Sequence, residues 1–460
     1  MEQTIQTREV FNYLSFVPFS ELKVWDVKRQ NNESLLFSYP VTKLSSFLKK
    51  AKISWVEIDD DFEYPILGVR ANGKGVYLNR IAKGSELTMR RYQKSKSYHL
   101  FYCKVRTVNG QWGIVYPEFE NSYGSSNMQY LEIDREKIIP EFLELILHVK
   151  EITDQWDKNA IGADGRHFPL DTLLNLEMPL PELPEQEKIL SDYNLKIKES
   201  EKLEVELNSF TENFENTLFE FLGVTKIPVK QATNSLQFIN LVNTSRWGYQ
   251  YLLNHEQSER LLDTAKFPQK LLSSLVLLNP TTSFNELKKD NKISFLPMEC
   301  VSDLYGEVIE YRDGKVQSSG GYTKFQEGDL LWSKITPCMQ NGKSCIVENL
   351  ENGFGYGSTE YHVIREKEES EIHLKFLYHL LRTKYVLTNA TFHFTGSAGQ
   401  QRVPIEFLAN LNVPLPSIDE QKEISIELDK LIAERKVKQV KVTELKEQAI
   451  KDFEAKIFKT

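Results

Sequence analysis

Residues 179–189 have the sequence PLPELPEQEKI, and residues 414–424 have the sequence PLPSIDEQKEI. In each copy, prolines fix an extended segment that leads into a Glu-Gln pair and then into the amphipathic pattern of a long helix. A motif of this length that recurs within one chain indicates an internal duplication. The chain is therefore expected to contain two similar modules, which favours a target with two parts.

The duplication extends over nearly the whole chain. Matching residues are offset by 228 positions at Tyr39 and Phe267, and by 235 positions at Pro179 and Pro414. Between these points the offset only increases, as small loop insertions would produce, whereas chance matches would scatter.

Composition excludes several classes of protein. The chain has 460 residues, of which 40% are hydrophobic, so it is too long for one core and suits two globular modules. No apolar run approaches the roughly 18 to 20 residues of a membrane span, and residues 1–12 do not resemble a signal peptide. The four cysteines lack the paired spacing of a zinc site or a disulfide framework: Cys103, Cys300, Cys338 and Cys345. We therefore expect reduced thiols, no metal site and a cytoplasmic protein.

The negative charge is concentrated in one segment. The formal net charge is −8, and residues 182–222 hold eleven carboxylates against four lysines. The rest of the chain is close to neutral, which is compatible with nucleic-acid binding through small basic patches.

Apolar runs with turn residues between them predict strands, and a run with helical spacing follows them in each half. These patterns cover residues 100–105, 112–116, 128–133 and 141–149 in the first half, and 330–335, 344–347, 360–364 and 373–381 in the second. The expected fold class is mixed α/β (α+β), with two domains of similar fold related by a pseudo-twofold internal repeat. The expected segments are a first domain at 1–178, a linker and long helix at 179–225, a second domain at 226–413, and a C-terminal linker and long helix at 414–460.

The two long helices carry apolar residues near heptad spacing, such as Leu203, Leu207 and Phe210 in the first copy. Neither helix can bury such a long stripe on its own small domain. We therefore expect them to form an antiparallel coiled coil that separates the two domains. The alternative, in which each helix folds back on its own domain, stays open.

This arrangement resembles the specificity subunit of type I restriction-modification systems. The resemblance covers essentially the whole chain: two target-recognition domains, each followed by a Pro-Leu-Pro segment, a Glu-Gln pair and a long helix. The loop at residues 397–402, SAGQQR, also looks typical, whereas residues 164–167, DGRH, depart from it in the first copy.

The resemblance implies a function in double-stranded DNA recognition. Each domain would recognise one half of an asymmetric, bipartite site, and the helices would set the gap and dock two methyltransferase subunits, to which restriction (helicase-nuclease) subunits attach. The chain itself would be non-catalytic and would hold no cofactor. S-adenosylmethionine would belong to the methyltransferase partner, and ATP and Mg to the nuclease partner.

Candidate DNA contacts fall at matching positions of the two halves. Glycine-flanked polar loops suggest Gln400, Gln401 and Arg402 in the second half, and Arg166 and His167 in the first. Lys104 and Lys334 could neutralise phosphates. Tyr123 and Tyr356 recur in both halves, which favours a shared turn or a phosphate contact. Base-specific contacts are expected where the halves differ, for example at Arg90, Arg91, Lys94 and Lys96 against residues 317–324. Candidates for subunit docking, implied by the resemblance, are Gln186, Gln421, Ile189 and Ile424.

Two other functions are consistent with part of the pattern. Residues 351–357, ENGFGYG, fit the acidic-x-x-x-Gly-x-Gly pattern of a methyl-donor loop, which would suit a stand-alone DNA methyltransferase. A strand pattern follows this loop instead of a helix. A coiled-coil scaffold without a nucleic-acid role is the second alternative.

Overall fold

The computed structural model of the chain describes residues 36–71, 74–105, 107, 110–156, 159–161, 167–224, 261–397 and 400–459. The chain divides into two compact units. Unit 1 comprises Met1–Glu201 and Thr443–Thr460, and unit 2 comprises Lys202–Val442. The four segments expected from the sequence stay a prediction, since residues 225–260 lie outside the described residues.

Unit 1 contains eleven strands within its described residues. They are β1 Val41–Lys43, β2 Leu48–Lys50, β3 Trp55–Glu57, β4 Glu63–Val69, β5 Val76–Lys83, β6 Arg91–Lys94, β7 His99–Cys103, β8 Trp112–Ile114, β9 Tyr123–Gly124, β10 Met128–Ile133 and β11 Glu177–Pro179. A four-stranded sheet has the order β2-β10-β7-β8, a five-stranded sheet has the order β3-β6-β9-β4-β5, and β1 pairs with β11. Four helices begin among the described residues of this unit: α1 Pro140–Leu147, α2 Lys150–Trp156, α3 Leu170–Leu174 and α4 Leu183–Asn208.

Strand β7 is buried on both faces because layers cover it on either side. Leu100 and Tyr102 belong to the core shared with Phe142 of α1, whereas Phe101 packs with Leu67 of the five-stranded sheet. A strand with two buried faces has a continuous apolar run instead of an alternating one. This accounts for the unbroken apolar stretch in the sequence.

Unit 2 repeats this architecture. Its described strands are β12 Gln269–Leu271, β13 Val276–Leu278, β14 Lys292–Leu296, β15 Arg312–Lys315, β16 Thr323–Gln326, β17 Leu330–Ser333, β18 Ser344–Ile346, β19 Phe354–Gly357, β20 Tyr361–Glu366 and β21 Asn412–Pro414. Two four-stranded sheets have the orders β13-β20-β17-β18 and β15-β14-β19-β16, and β12 pairs with β21. The helices that begin among its described residues are α5 Phe210–Leu222, α6 Leu272–Leu275, α7 Leu374–Leu381, α8 Lys384–Phe392, α9 Ile405–Ala409 and α10 Ile418–Ile457.

The two units share strand order and register. In both, one parallel pair lies within a sheet whose other pairs are antiparallel: β4 with β9 in unit 1, and β14 with β19 in unit 2. In each unit an indole donates to the last carbonyl of the equivalent helix, Trp112 of β8 to Leu147 of α1 at 3.2 Å and Trp332 of β17 to Leu381 of α7 at 3.5 Å, although the two tryptophans lie on neighbouring and not on equivalent strands. The internal repeat predicted from the sequence is therefore present in the fold.

The long helices pair in antiparallel fashion within each unit. In unit 1, Asp192 pairs with Lys456, and Lys196 pairs with Asp452. The partner residue number falls as the first number rises, which is the antiparallel order. In unit 2, the Glu206 carboxylate lies 2.8 Å from Lys438 Nζ, and the Arg435 guanidinium lies 4.5 Å from the ring centre of Phe210. The antiparallel helix pair predicted from the apolar spacing is confirmed, with a break at Ser209 between α4 and α5.

Several local expectations differ from the structure. The sheets formed by β3, β4, β5 and their neighbours were not predicted, because the sequence of β5 carries polar and apolar residues without a clear period. Lys104 and Lys334 lie just past the ends of β7 and β17, not within strands as expected. Asn109 of the expected turn lies outside the described residues, while Gly110 and Gly342 both have the positive φ that a tight turn favours.

Candidate nucleic-acid interface

Gln186, from the repeated Glu-Gln pair, is fully buried in unit 1. Its side-chain oxygen accepts a hydrogen bond from the backbone N–H of Ile139 at 2.9 Å. Its side-chain nitrogen donates to the carbonyls of Lys137 at 3.0 Å and Pro181 at 2.8 Å. The carboxamide therefore joins the proline-rich segment to the start of α1.

Gln421 makes the same three contacts in unit 2. Its oxygen accepts from the N–H of His373 at 2.7 Å, and its nitrogen donates to the carbonyls of Glu371 at 3.0 Å and Pro416 at 2.8 Å. Its side chain also has no exposed surface. A side chain with both a donor and an acceptor is needed here, which explains why glutamine recurs in the motif.

The docking role expected for these positions stays a prediction, and burial argues against direct contact by their side chains. Ile189 and Ile424, the other two candidates, are 1% and 3% exposed and belong to the cores of their own units. A partner would have to contact exposed neighbours on the helices instead.

The loop that carries Gln400, Gln401 and Arg402 is closed by backbone pairing. Arg402 and Thr395 exchange two hydrogen bonds of 2.9 Å, and the carbonyl of Gln401 accepts from Thr336 at 3.0 Å. Ala398 and Gly399 lie outside the described residues. Gln400 is exposed and Gln401 is half-buried, so of these two glutamines Gln400 is the better placed to reach a ligand.

Arg402 is held by a carboxylate that the sequence did not single out. Its Nε and Nη2 atoms donate to Glu360 at 2.7 to 3.1 Å, and its Nη1 donates to the carbonyl of Gln400 at 3.1 Å. Hydrogen bonds from Arg402 lower the pKa of the Glu360 carboxyl, which keeps it ionised. The guanidinium is therefore neutralised within the unit, which argues against Arg402 as a free base contact.

Lys334 completes this cluster. Its backbone bonds to Glu360 and Val403, each at 2.9 Å, which brings its side chain near Glu360 and Arg402. Burial lowers the pKa of Lys334, while the charge of Glu360 opposes that shift. Two cations and one carboxylate leave the cluster with one net positive charge.

His362 forms a hydrogen bond to Val403, the residue that follows Arg402 of this cluster. Its Nδ1 lies 3.1 Å from Asn279 Nδ2, and its Nε2 lies 2.9 Å from the Val403 carbonyl. The Asn279 oxygen accepts from the N–H of Val363, so its nitrogen faces the histidine as a donor. Nδ1 must then be the acceptor and Nε2 the donor, which fits a neutral ring. Burial accordingly lowers the pKa of His362.

Unit 1 has the same type of backbone pairing, with different side chains at the paired positions. Ile161 and His167 exchange backbone hydrogen bonds of 2.9 and 3.0 Å, so His167 occupies the place of Arg402. The N–H of Lys104 bonds to the carbonyl of Asn127 at 2.9 Å, as that of Lys334 does to Glu360. Arg166 lies outside the described residues. Asn127 occupies the position of Glu360, so a neutral amide replaces the carboxylate in unit 1. The two units therefore share this backbone pairing but differ in charge.

Tyr123 and Tyr356 lie at equivalent places in the central strands β9 and β19. Tyr356 is 4% exposed and stacks on Phe295 with ring centres 4.9 Å apart. Tyr123 is half-buried and meets Tyr64 edge-on at 5.1 Å. These contacts favour the shared structural role that was one of the two expectations for the pair.

The glycine pattern at residues 351–357 has a packing explanation. Residues 354–357 form strand β19 themselves, whereas the sequence predicted a strand only after this loop. A Cβ atom at Gly355 would lie 2.2 Å from the ring of Phe325, and one at Gly357 would lie 2.2 Å from the carbonyl oxygen of Leu296. Both glycines therefore allow close packing of this sheet, which removes the main reason to interpret them as a methyl-donor loop.

Among the described residues, no group of histidine, cysteine and carboxylate side chains has the geometry of a metal site. Within the same part of the chain, no helix has the length and apolar character needed to span a membrane.

The sequence and the fold of the chain are similar to those of known proteins. Residues 274–447 match the family model of the type I restriction modification DNA specificity domain. The chain is 35% identical over 165 residues to the specificity subunit of the type I restriction enzyme EcoEI from Escherichia coli, a match that covers 35% of this chain and 27% of the relative. It is also 35% identical over 167 residues to the EcoAI specificity subunit of the same species, with the same coverage. The matched region thus spans about a quarter of the length of these relatives.

The fold has a solved counterpart. A chain from a structural study of the assembly and conformational transition of the type I R-M system aligns with a TM-score of 0.54 and 14% identity, covering 92% of this chain and 98% of that one. This likeness concerns the fold, and the sequence matches concern the family. Together they support the resemblance predicted from the sequence: residues 274–447 match the type I restriction modification DNA specificity domain, and the chain has the fold of a chain from a type I R-M system.

Proposed function

We propose that this chain is the DNA-recognition subunit of a type I restriction-modification complex. Each unit recognises one half of an asymmetric, bipartite site in double-stranded DNA. The observation that carries the proposal is the repetition of one recognition fold with different polar side chains at equivalent places, such as His167 against Arg402. Two unlike recognition surfaces in one chain suit two unlike half-sites.

The paired long helices set the gap between the half-sites in this proposal. A face of duplex DNA recurs every 10 to 10.5 base pairs, so a fixed helical spacer would select a fixed gap. The exposed surfaces of α4 and α10 dock two methyltransferase subunits, and restriction (helicase-nuclease) subunits join through these. Exposed apolar side chains on the helices support a docking surface: Leu195, Val205, Ile426, Val437, Val440 and Ile450.

The chain is non-catalytic in this proposal and holds no cofactor of its own. S-adenosylmethionine is bound by the methyltransferase subunits, and ATP and Mg by the restriction subunits. The close packing at Gly355 and Gly357 supports this division, because it gives the glycine pattern a role within the sheet.

Selection from random duplexes tests the proposal. The full chain, together with its methyltransferase partner, is expected to enrich two defined sequence blocks around a fixed gap. Enrichment of nothing, or of one continuous block, would contradict it.

A domain exchange sharpens the test. Replacing residues 1–178 with the corresponding part of another specificity subunit is expected to change one block and leave the other intact. Inserting helical residues near Lys198 is expected to change only the gap. Loss of both blocks on exchange would show that the two units do not recognise DNA independently.

A further inference from the structure

In unit 2, a row of four side chains crosses the sheet of order β15-β14-β19-β16 at right angles to its strands. In β14, Phe295 pairs with Arg312 of β15 on one side and with Tyr356 of β19 on the other. Tyr356 in turn pairs with Lys324 of β16. Laterally paired residues point to the same face of a sheet, so this face carries an arginine, two aromatic rings and a lysine in succession.

Unit 1 contains the same row. In β4, Ile66 pairs with Arg80 of β5 and with Tyr123 of β9, and Tyr123 pairs with Lys94 of β6. An arginine again lies at one end, a lysine at the other, and a tyrosine beside the lysine. Lys94 and Lys324 were expected among residues that differ between the halves, whereas the strand register makes them equivalent.

Packing explains the two inner positions of each row. Tyr356 stacks on Phe295, and both lie in a small apolar cluster with Ile293. In unit 1, Tyr123 and Ile66 belong to a corresponding cluster with Tyr64. In unit 2 the Lys324 ammonium lies over the ring of Phe284, a member of that cluster, so packing accounts for part of its placement. Within the described part of unit 1, the cluster makes no such ring contact with Arg80 or Lys94.

The end cations are accessible to a ligand. Arg80 is exposed and Lys94 is half-exposed, and neither pairs with a carboxylate within the described part of unit 1. In unit 2, Arg312 lies 2.9 Å from Glu299 and 3.9 Å from Glu310, and Lys324 Nζ lies 4.9 Å from the ring centre of Phe284. Each exposed ion pair contributes only about 0 to 1 kcal/mol, so a phosphate can displace these carboxylates at modest cost.

The spacing of the end cations fits a duplex. Three strand intervals of about 4.8 Å separate the two strands that carry the end cations, which places these ends roughly 14 Å apart. The major groove of B-DNA is about 12 Å wide. Two flexible cationic side chains at that separation can contact the phosphates that border the groove, while the inner side chains, such as the buried Tyr356 and Ile66, pack within their own unit.

We propose that the two rows are equivalent phosphate-contacting elements, in which Arg80 and Lys94 of unit 1 and Arg312 and Lys324 of unit 2 bind the backbone of duplex DNA. This inference rests on the proposed function and extends it. Because the rows are alike in two units with different polar loops, their contacts are independent of sequence and position the DNA, while the loops supply specificity.

Salt dependence of binding tests the rows. The full chain is titrated against a fluorescent duplex that contains the selected site, and against one of unrelated sequence, at several salt concentrations. Loss of one phosphate contact lowers the slope of log Kd against log salt by about one unit. The double variant Arg80→Gln/Lys94→Gln is therefore expected to lose about two units and to weaken binding to both duplexes alike. Lys324→Gln is expected to lose about one.

Matched controls lie on the same strands. Lys83 of β5 and Lys315 of β15 occupy equivalent positions and point to the opposite face, because they are an odd number of residues from Arg80 and Arg312. Lys83→Gln and Lys315→Gln remove the same charge and are expected to keep the wild-type slope. Arg80→Lys and Lys94→Arg preserve the charge and are expected to keep it too.

The outcomes separate this inference from the proposed function. If the wild-type chain selects a bipartite site, but the row variants keep its salt slope or lose no more than the controls, the row inference is overturned and the function stands. If the wild-type chain, together with its methyltransferase partner, binds no duplex under conditions that keep it folded, the proposed function itself is overturned.

Discussion

The side-chain oxygen of Gln421 accepts a hydrogen bond from the backbone N–H of His373 at 2.7 Å, at the residue that precedes helix α7. Replacement by leucine would leave this N–H and the carbonyls of Glu371 and Pro416 without their partner inside the unit. Each unsatisfied buried group costs about 1 to 3 kcal/mol and three are left unpaired, so Gln421→Leu is expected to lower the free energy of unfolding by at least about 3 kcal/mol. Chemical denaturation, with hydrogen exchange at residues 371–373, measures this.

The exposed Gln400 provides the control for this prediction. Gln400→Leu is expected to change stability by less than about 0.5 kcal/mol. A different result would support the docking role. If Gln421→Leu kept full stability but no longer co-purified with the proposed methyltransferase partner, the glutamine would be a subunit contact.

The repeat was predictable because it depends on backbone geometry that a few residue types impose. Proline, the Glu-Gln pair and the apolar spacing of the long helices identified the duplication and the antiparallel helix pair. The role of Gln186 and Gln421 was not predictable, since a polar residue at a helix start has the same pattern whether it faces solvent or bonds to a neighbouring segment. Glu360 was missed for a similar reason, because its contact with Arg402 joins residues 42 positions apart.

The neutral ring of His362 makes the stability of unit 2 depend on pH. Its pKa in the folded unit lies below the ordinary value of about 6.5, so the unfolded chain takes up a proton first as the pH falls. Stability is therefore fully present above about pH 6.5 and is lost as the pH falls from there towards the lower folded pKa, by up to about 1.4 kcal/mol per pH unit.

Gln129 occupies the corresponding position in unit 1, which makes His362→Gln a natural comparison. Thermal unfolding of the wild type and of this variant between pH 8 and pH 5 measures the difference. The variant is expected to lose less stability than the wild type as the pH falls below 6.5. Identical profiles would show that His362 is not the titrating group.

Gly314 allows the ring of Tyr356 to lie across strand β15. A Cβ atom at this position would lie 2.7 Å from that ring and 2.7 Å from the carbonyl oxygen of Ile293. Gly314→Ala is therefore expected to destabilise unit 2 by about 1 to 3 kcal/mol. Gly320→Ala is the matched control, because no atom lies within 4 Å of the added methyl group. Equal stability of the two variants in chemical denaturation would contradict the close packing of Tyr356.

The pairing of Arg402 with Glu360 yields a test of how the 395–402 loop acts. If the guanidinium only positions the loop, then the double variant Arg402→Ala/Glu360→Gln removes a neutral pair and leaves the charge of Lys334 in place. The slope of log Kd against log salt should then stay within about half a unit of the wild type, while discrimination between correct and altered sites weakens. If Arg402 instead leaves Glu360 to contact a phosphate, the same variant loses about one unit of slope and weakens binding to all sequences alike. Because the variant leaves the net charge unchanged, a loss of slope can only come from a lost contact. We expect the first result, since three hydrogen bonds of 2.7 to 3.1 Å already commit this guanidinium to Glu360.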